Sequence, residues 1–210
     1  MSPKPKFDAL GRRSRTRPTP TGKRIAPQPR DLLWFEKLAE HGPLPSSFLL
    51  AFAKDTHRSE KRAKERLTDL FNEDRTAHKG AYLARPAQQF RTLDARYNQL
   101  VYDLSQASVA ALRRSGSAIR AARSGPWQHS LMVSCITASI ELACIERDDI
   151  NYIPQSKILA RAEASLRWTT KICDPETGST YAKDLLPDAL FGLEYLTPEG
   201  TLYRFYALEA

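Results

Sequence analysis

The sequence predicts an α+β chain, on three observations. Its first folded stretch has helical periodicity broken by short turns. Its last stretch has the alternation of a β-hairpin. A small, basic segment bracketed by glycines separates the two. At 210 residues with 41% apolar composition, the chain can bury a core, but not from end to end. Charge sharpens the division. Residues 1–30 hold nine Lys/Arg against Asp8 alone, and that segment equals the whole net charge of +8. Of the remainder, residues 31–125 are basic and 126–210 acidic, which points to two parts with different jobs.

Residues 1–30 carry six prolines and few large apolar side chains, so they are expected to form a disordered basic arm. Arg12, Arg13, Arg15 and Arg17 are its densest run, suited to a phosphate backbone. Asp31–His41 is the first helix, with Asp31 as its cap and Leu32, Phe35, Leu38 and Ala39 on one side. Gly42-Pro43 ends it. Ser46 or Ser47 is expected to cap a short helix over Phe48–Ala53, and Asp55-Thr56-His57 makes a turn. Ser59 opens a longer helix that runs out at Asn72-Glu73-Asp74. On that helix Ala63, Leu67, Leu70 and Phe71 fall on one arc and should be buried. At about 100° per residue, Arg58, Lys61 and Arg62 lie opposite, with Lys64 at the edge.

Two strands are expected next, Gly80–Pro86 and Asn98–Leu104, joined by a polar loop, before Ser105 caps a helix over Gln106–Arg114. Three helices followed by a two-stranded hairpin is the order of a winged helix-turn-helix, whose third helix enters the DNA major groove. Lys79 falls in the expected wing. The winged-helix DNA-binding domain is therefore placed at 31–114 and a linker at 115–126 (SGSAIRAARSGP).

Residues 127–210 read as a small α/β domain. It begins with a long apolar helix over Trp127–Arg147, buried on more than one side. A brief strand at Asn151–Ile153 follows, and Ile158–Ile172 is helix or an irregular segment ending in a strand. Leu185–Tyr195 and Thr201–Glu209 form a hairpin turning at Thr197–Gly200. The strongest chemical pattern lies there: Pro187-Asp188 heads one strand and Glu209 ends the next. Two carboxylates across a hairpin can share a divalent metal, and metal-bound water attacks phosphodiesters. A strand with PD followed by one with (D/E)-x-K is the core of a large nuclease superfamily, in which a helix supplies a further acid. Glu141 fits that third place, so Asp188, Glu209 and Glu141 are the candidate catalytic residues, with Asp188 and Glu209 the metal ligands for Mg²⁺. The lysine position falls beyond Ala210. His129 is a further candidate near this group. An exposed Asp after proline and a Glu at a strand end are, however, common without function.

Several classes are excluded. The three cysteines (Cys135, Cys144, Cys173) have no CxxC spacing and are expected reduced and mostly buried. The histidines are not paired at zinc-ligand spacing. Neither phosphate-loop glycine pattern occurs. The N-terminus lacks the apolar segment of a secretory signal, its prolines oppose a transit-peptide helix, and no apolar run is expected to reach the roughly 18 residues of a membrane span. A bacterial cytoplasmic location without a membrane partner is the expectation.

The winged-helix order, the strand Val101-Tyr102-Asp103-Leu104 leading into a helix, and the pattern Leu186-Pro187-Asp188-Ala189-Leu190-Phe191 … Tyr203-Arg204-Phe205-Tyr206-Ala207-Leu208-Glu209 together resemble the plasmid replication-relaxation family over about residues 30–210. The resemblance implies DNA-associated work on bacterial plasmids and other mobile elements, in replication, mobilisation or its regulation. The expected partners are double-stranded DNA, replication or mobilisation proteins, and a second copy of the chain. Two rival functions remain open. One is a metal-dependent endonuclease or nickase. The other is a winged helix used for protein contact in a replication complex.

Overall fold

The computed structural model describes residues 14–73, 80–91, 99–117 and 126–210. Arg12, Arg13, Lys79, the turn residue Asp74 and most of the expected linker lie outside the described residues. The chain is mixed α+β, with short helices and small antiparallel sheets. It divides into two units, residues 1–138 and 139–210.

In the first unit, α1 spans Pro29–His41. It starts before the expected cap, because Pro29 supplies a fixed φ at a position that needs no N–H. Asp31 instead sits inside the first turn, fully buried, where its carboxylate accepts the Gln28 N–H at 2.7 Å. It also takes a two-pronged contact from the Arg66 guanidinium at 2.6 and 3.0 Å. Trp34, Phe35, Leu38 and Ala39 are buried, and Leu32 is half-buried. Gly42, at φ +100°, ends the helix.

A two-residue strand, β1 (Leu44–Pro45), follows, between the two helices, where no strand is expected. Helix α2 spans Ser46–Phe52 with Pro45 at its cap, so neither Ser46 nor Ser47 plays the expected capping role. The Ser47 N–H is taken by Gln99 Oε1 at 3.0 Å. Helix α3 spans Glu60–Asn72, and the Ser59 hydroxyl accepts the Arg62 N–H. Ala63, Leu67, Leu70 and Phe71 are all buried, as their spacing requires. The next strands are shorter than expected: β2 is Leu83–Ala84 and β3 is Val101–Leu104, with a 3-10 turn at Ala87–Phe90 in the connection. The sheet order is β1-β3-β2, antiparallel throughout, with Leu44 opposite Tyr102 and Leu83 opposite Leu104. Helix α4 spans Gln106–Arg114, and the Ser105 hydroxyl caps it by accepting two backbone N–H groups.

Residues 1–13 of the expected arm lie outside the described residues; the part from residue 14 makes contacts with the rest of the first unit. Within that part, Thr19, Thr21 and Lys23 are clipped to the C-terminal end of α3. The Thr19 N–H donates to Asn72 Oδ1 at 2.9 Å, the Thr21 N–H and hydroxyl reach the two Glu73 oxygens at 2.8 Å, and Lys23 pairs with Asp69. Ile25 is buried in the same apolar core as Trp34 and Phe35. One apolar anchor and these polar clips offset the ordering entropy that composition alone makes prohibitive. Arg85 adds a clip. Its guanidinium donates to the Arg15 carbonyl and the Tyr102 hydroxyl and lies 3.9 Å from the Phe71 ring centroid. Burial pushes its pKa below the ordinary arginine value.

Helix α5 spans Trp127–Ile145. Contrary to expectation, its 19 residues and mean hydropathy of 1.2 suffice to cross a membrane by length and composition. Two of its polar residues, Ser134 and Thr137, are used inside the first unit, however. Ser134 Oγ lies 2.7 Å from the His41 carbonyl, and His41 Nδ1 lies 2.9 Å from Thr137 Oγ1.

In the second unit, β4 (Ile150–Pro154) leads into α6 (Gln155–Ala162). Strands β5 (Trp168–Cys173) and β6 (Thr180–Leu185) form a separate two-stranded ribbon; β6 lies in a stretch not expected as strand. Strands β7 (Ala189–Thr197) and β8 (Gly200–Leu208) form the expected hairpin, tightened to a Pro198-Glu199 loop. The first of these strands starts later than predicted, because Leu185 belongs to β6 and Pro187 intervenes. The sheet order is β4-β7-β8. Gly192 lets Phe205 lie flat across β7, since a Cβ there would meet the Phe205 ring at 2.9 Å. Of the free cysteines, Cys144 is buried, Cys135 half-buried and Cys173 exposed, so the expectation of mostly buried thiols holds only in part.

Candidate nucleic-acid interface

The Ser59 cap and the buried stripe fix which side of α3 faces outward. On that side Lys61, Arg62 and Lys64 are exposed, as is Arg58 just ahead of the cap. Two are engaged locally: Arg62 Nη1 contacts Glu65 at 3.0 Å, and Lys64 pairs with Glu60. Such exposed pairs contribute only tenths of a kcal/mol and re-form readily with another anion. Arg58 and Lys61 have no ion pair among the described residues.

The acids on this face are accounted for. Glu60, Glu65 and Asp69 are matched by Lys64, Arg62 and Lys23. The third match comes from the arm, a contribution that sequence reasoning missed. The available signal was weak: Thr19, Thr21 and Lys23 alternate, as an extended segment clipping a helix end must. Arg15 and Arg17, also expected to bind nucleic acid, are described; Arg17 is exposed, and Arg15 is half-buried with its carbonyl held by Arg85.

In the turn ahead of α3, the His57 ring stacks on Trp34 with centroids 4.8 Å apart. Burial, and secondly the charge of Arg30, lower its pKa below the usual 6.5. His57 lines a recess of about 590 Å³ with Ser47, Lys54 and Lys64.

The candidate catalytic acids lie in the second unit. Ala189 pairs with Leu208, so Asp188 and Glu209 flank the same end of the β7–β8 hairpin. Asp188 Oδ2 accepts the Ala210 N–H at 2.9 Å, and the Asp188 N–H donates to the Leu208 carbonyl. The Asp188 carboxylate thus helps close the hairpin end. Glu209 is exposed, and Glu141, on α5, is buried. His129 is half-buried near the start of α5, in the first unit. Asp188 and Glu209 carry hard oxygen ligands of the kind Mg²⁺ takes, but among the described residues their carboxylates are not gathered with that of Glu141 into a metal-sized group.

The chain matches no family model, no curated protein and no solved structure.

Proposed function

We propose that the chain is a DNA-binding protein that presents α3 to the major groove of double-stranded DNA. The order α1-β1-α2-α3-β2-β3 with sheet order β1-β3-β2 supports a winged-helix reading of the first unit. In that reading the β2–β3 connection is the wing. The observation that carries the proposal is the outer face of α3. Its three acids are each matched by a cation, leaving Lys61, and Arg58 just ahead of the helix, without an ion pair among the described residues. The arm then acts in two ways. It neutralises Asp69 beside the docking helix, and its exposed Arg17 and Arg24 add backbone contacts. As the resemblance to the plasmid replication-relaxation family implies, the setting is replication or mobilisation of a bacterial mobile element, in the cytoplasm.

Duplex binding measured over a salt series tests this. Wild-type affinity should fall steeply with salt, and Arg58→Ala/Lys61→Ala/Arg62→Ala should flatten the log–log slope by about 0.9 per lost phosphate contact. Affinity at fixed salt should drop about 10- to 100-fold. Identical, salt-insensitive binding by both proteins would sink the proposal.

A further inference from the structure

Among the described residues, strand β8 is the outer strand of its sheet, bonded to β7 on one side only. Exposed edges are normally blunted by proline, bulges, charge or brevity. β8 has no proline and no bulge, is not short, and carries a single charge. It runs nine residues in unbroken register with β7, from Thr197 opposite Gly200 to Ala189 opposite Leu208. All but Leu208 are exposed, including Leu202 at 48%, Tyr203 at 46%, Phe205 at 57% and Tyr206 at 37%. Its one charge, Arg204, lies over the Tyr195 ring at 5.8 Å instead of projecting as a guard.

We propose that β8 is the interface strand of a homodimer: the β8 edges of two copies pair antiparallel about a two-fold axis at Phe205, joining two three-stranded sheets into one of six. Symmetry narrows the register. A two-fold axis between adjacent antiparallel strands keeps each sheet face on its own side. Residues of equal parity therefore meet, and one residue faces its own copy. An axis at Arg204 would set two guanidinium groups opposite each other, which is repulsive. An axis at Tyr206 would place Arg204 against Leu208 of the second copy and leave it without a favourable neighbour.

An axis at Phe205 resolves both problems. Each Arg204 then meets Tyr206 of the second copy, the kind of cation–ring contact it already makes with Tyr195. Leu202 meets Leu208, Tyr203 meets Ala207, and the two Phe205 rings meet at the axis. Each ring rests over its own Gly192, which leaves room for it to lie against the sheet. This self-complementary pattern favours a second copy over an unrelated strand. The edge N–H and C=O groups gain partners over most of their length.

Sedimentation equilibrium of the full chain over a concentration series reads this directly, and wild type should be a dimer. Phe205→Lys and Phe205→Glu should each be monomeric, with association weakened about 100-fold or more, because each places like charges at the axis. Mixed in equal amounts, the two variants should dimerise again as one copy of each, visible by mass in native mass spectrometry. That recovery separates a broken interface from a misfolded strand. A monomeric wild type, variants that still self-associate, or a mixture that stays monomeric would each overturn the proposal.

Discussion

The two units put their aromatic residues to opposite uses. In the first, Trp34, Phe35, Phe71, Tyr82 and Tyr102 are buried to 3% exposure or less. In the second, Trp168, Tyr181, Tyr203, Phe205 and Tyr206 are exposed by 37–69%. The first unit closes its own core from helices on a small sheet, and even recruits the arm to finish it through Ile25. The second unit is a thin sheet and a separate ribbon, whose sides outnumber the elements available to cover them. A two-stranded ribbon gains little by itself. The first unit is thus built to be stable alone, and the second to gain stability from what it meets.

The largest expected effect tests that contrast with one substitution on each side. Trp34→Ala removes a fully buried side chain whose indole N–H donates to the Leu49 carbonyl at 2.6 Å. It should cost about 3–5 kcal/mol in denaturant unfolding. Trp168→Ala, at 69% exposure, should change stability by less than about 0.5 kcal/mol. Equal costs would erase the distinction between the units.

Next come the ion pairs. Asp31→Ala leaves the half-buried Arg66 without its carboxylate and the Gln28 N–H without its acceptor. The Asp31 carboxylate also holds the Arg66 guanidinium above its ordinary pKa. The expected loss is about 3 kcal/mol by thermal or urea unfolding. In the second unit Asp149→Ala breaks an equally short pair with Arg147, at 2.7 Å, but both groups are exposed. No measurable loss is expected there. Matching losses would show that geometry outweighs burial in this chain.

Where the sequence was legible and where it was not follows the same physics. The buried stripe of α3, the Ser59 and Ser105 caps and the β7–β8 hairpin were readable because each rests on local spacing or turn chemistry. The packed arm was not. Its order depends on Asn72 and Glu73, about fifty residues away, and composition carries no trace of that pairing. β1 was missed because two residues hold no periodicity; only the partner strand defines it. Asp31 looked like a cap because its type suits one, and it became an internal anchor because Arg66 reaches it from α3. Of the candidate interface, the cations of α3 were visible from the sequence, while Lys23, which matches Asp69, required the fold.

The smallest expected effect is one of pH, and it too divides the units. His57 has its pKa lowered, first by burial against Trp34 and then by the charge of Arg30. Asp31 opposes that shift and Arg66 adds to it, both more weakly. The unfolded chain binds a proton at this ring near the ordinary 6.5, and the folded chain only at lower pH. Below 6.5 the unfolded state therefore carries more protons, and stability falls as pH drops. The contribution is fully present above the unfolded value, declines below it, and levels off once the folded form also protonates. The second unit, residues 139–210, contains no histidine and should be flat across this window. Urea unfolding of wild type and His57→Gln between about pH 5 and 8 checks this. The wild type should lose stability toward the acid end and His57→Gln should lose less. An identical slope in both would place the acid sensitivity elsewhere.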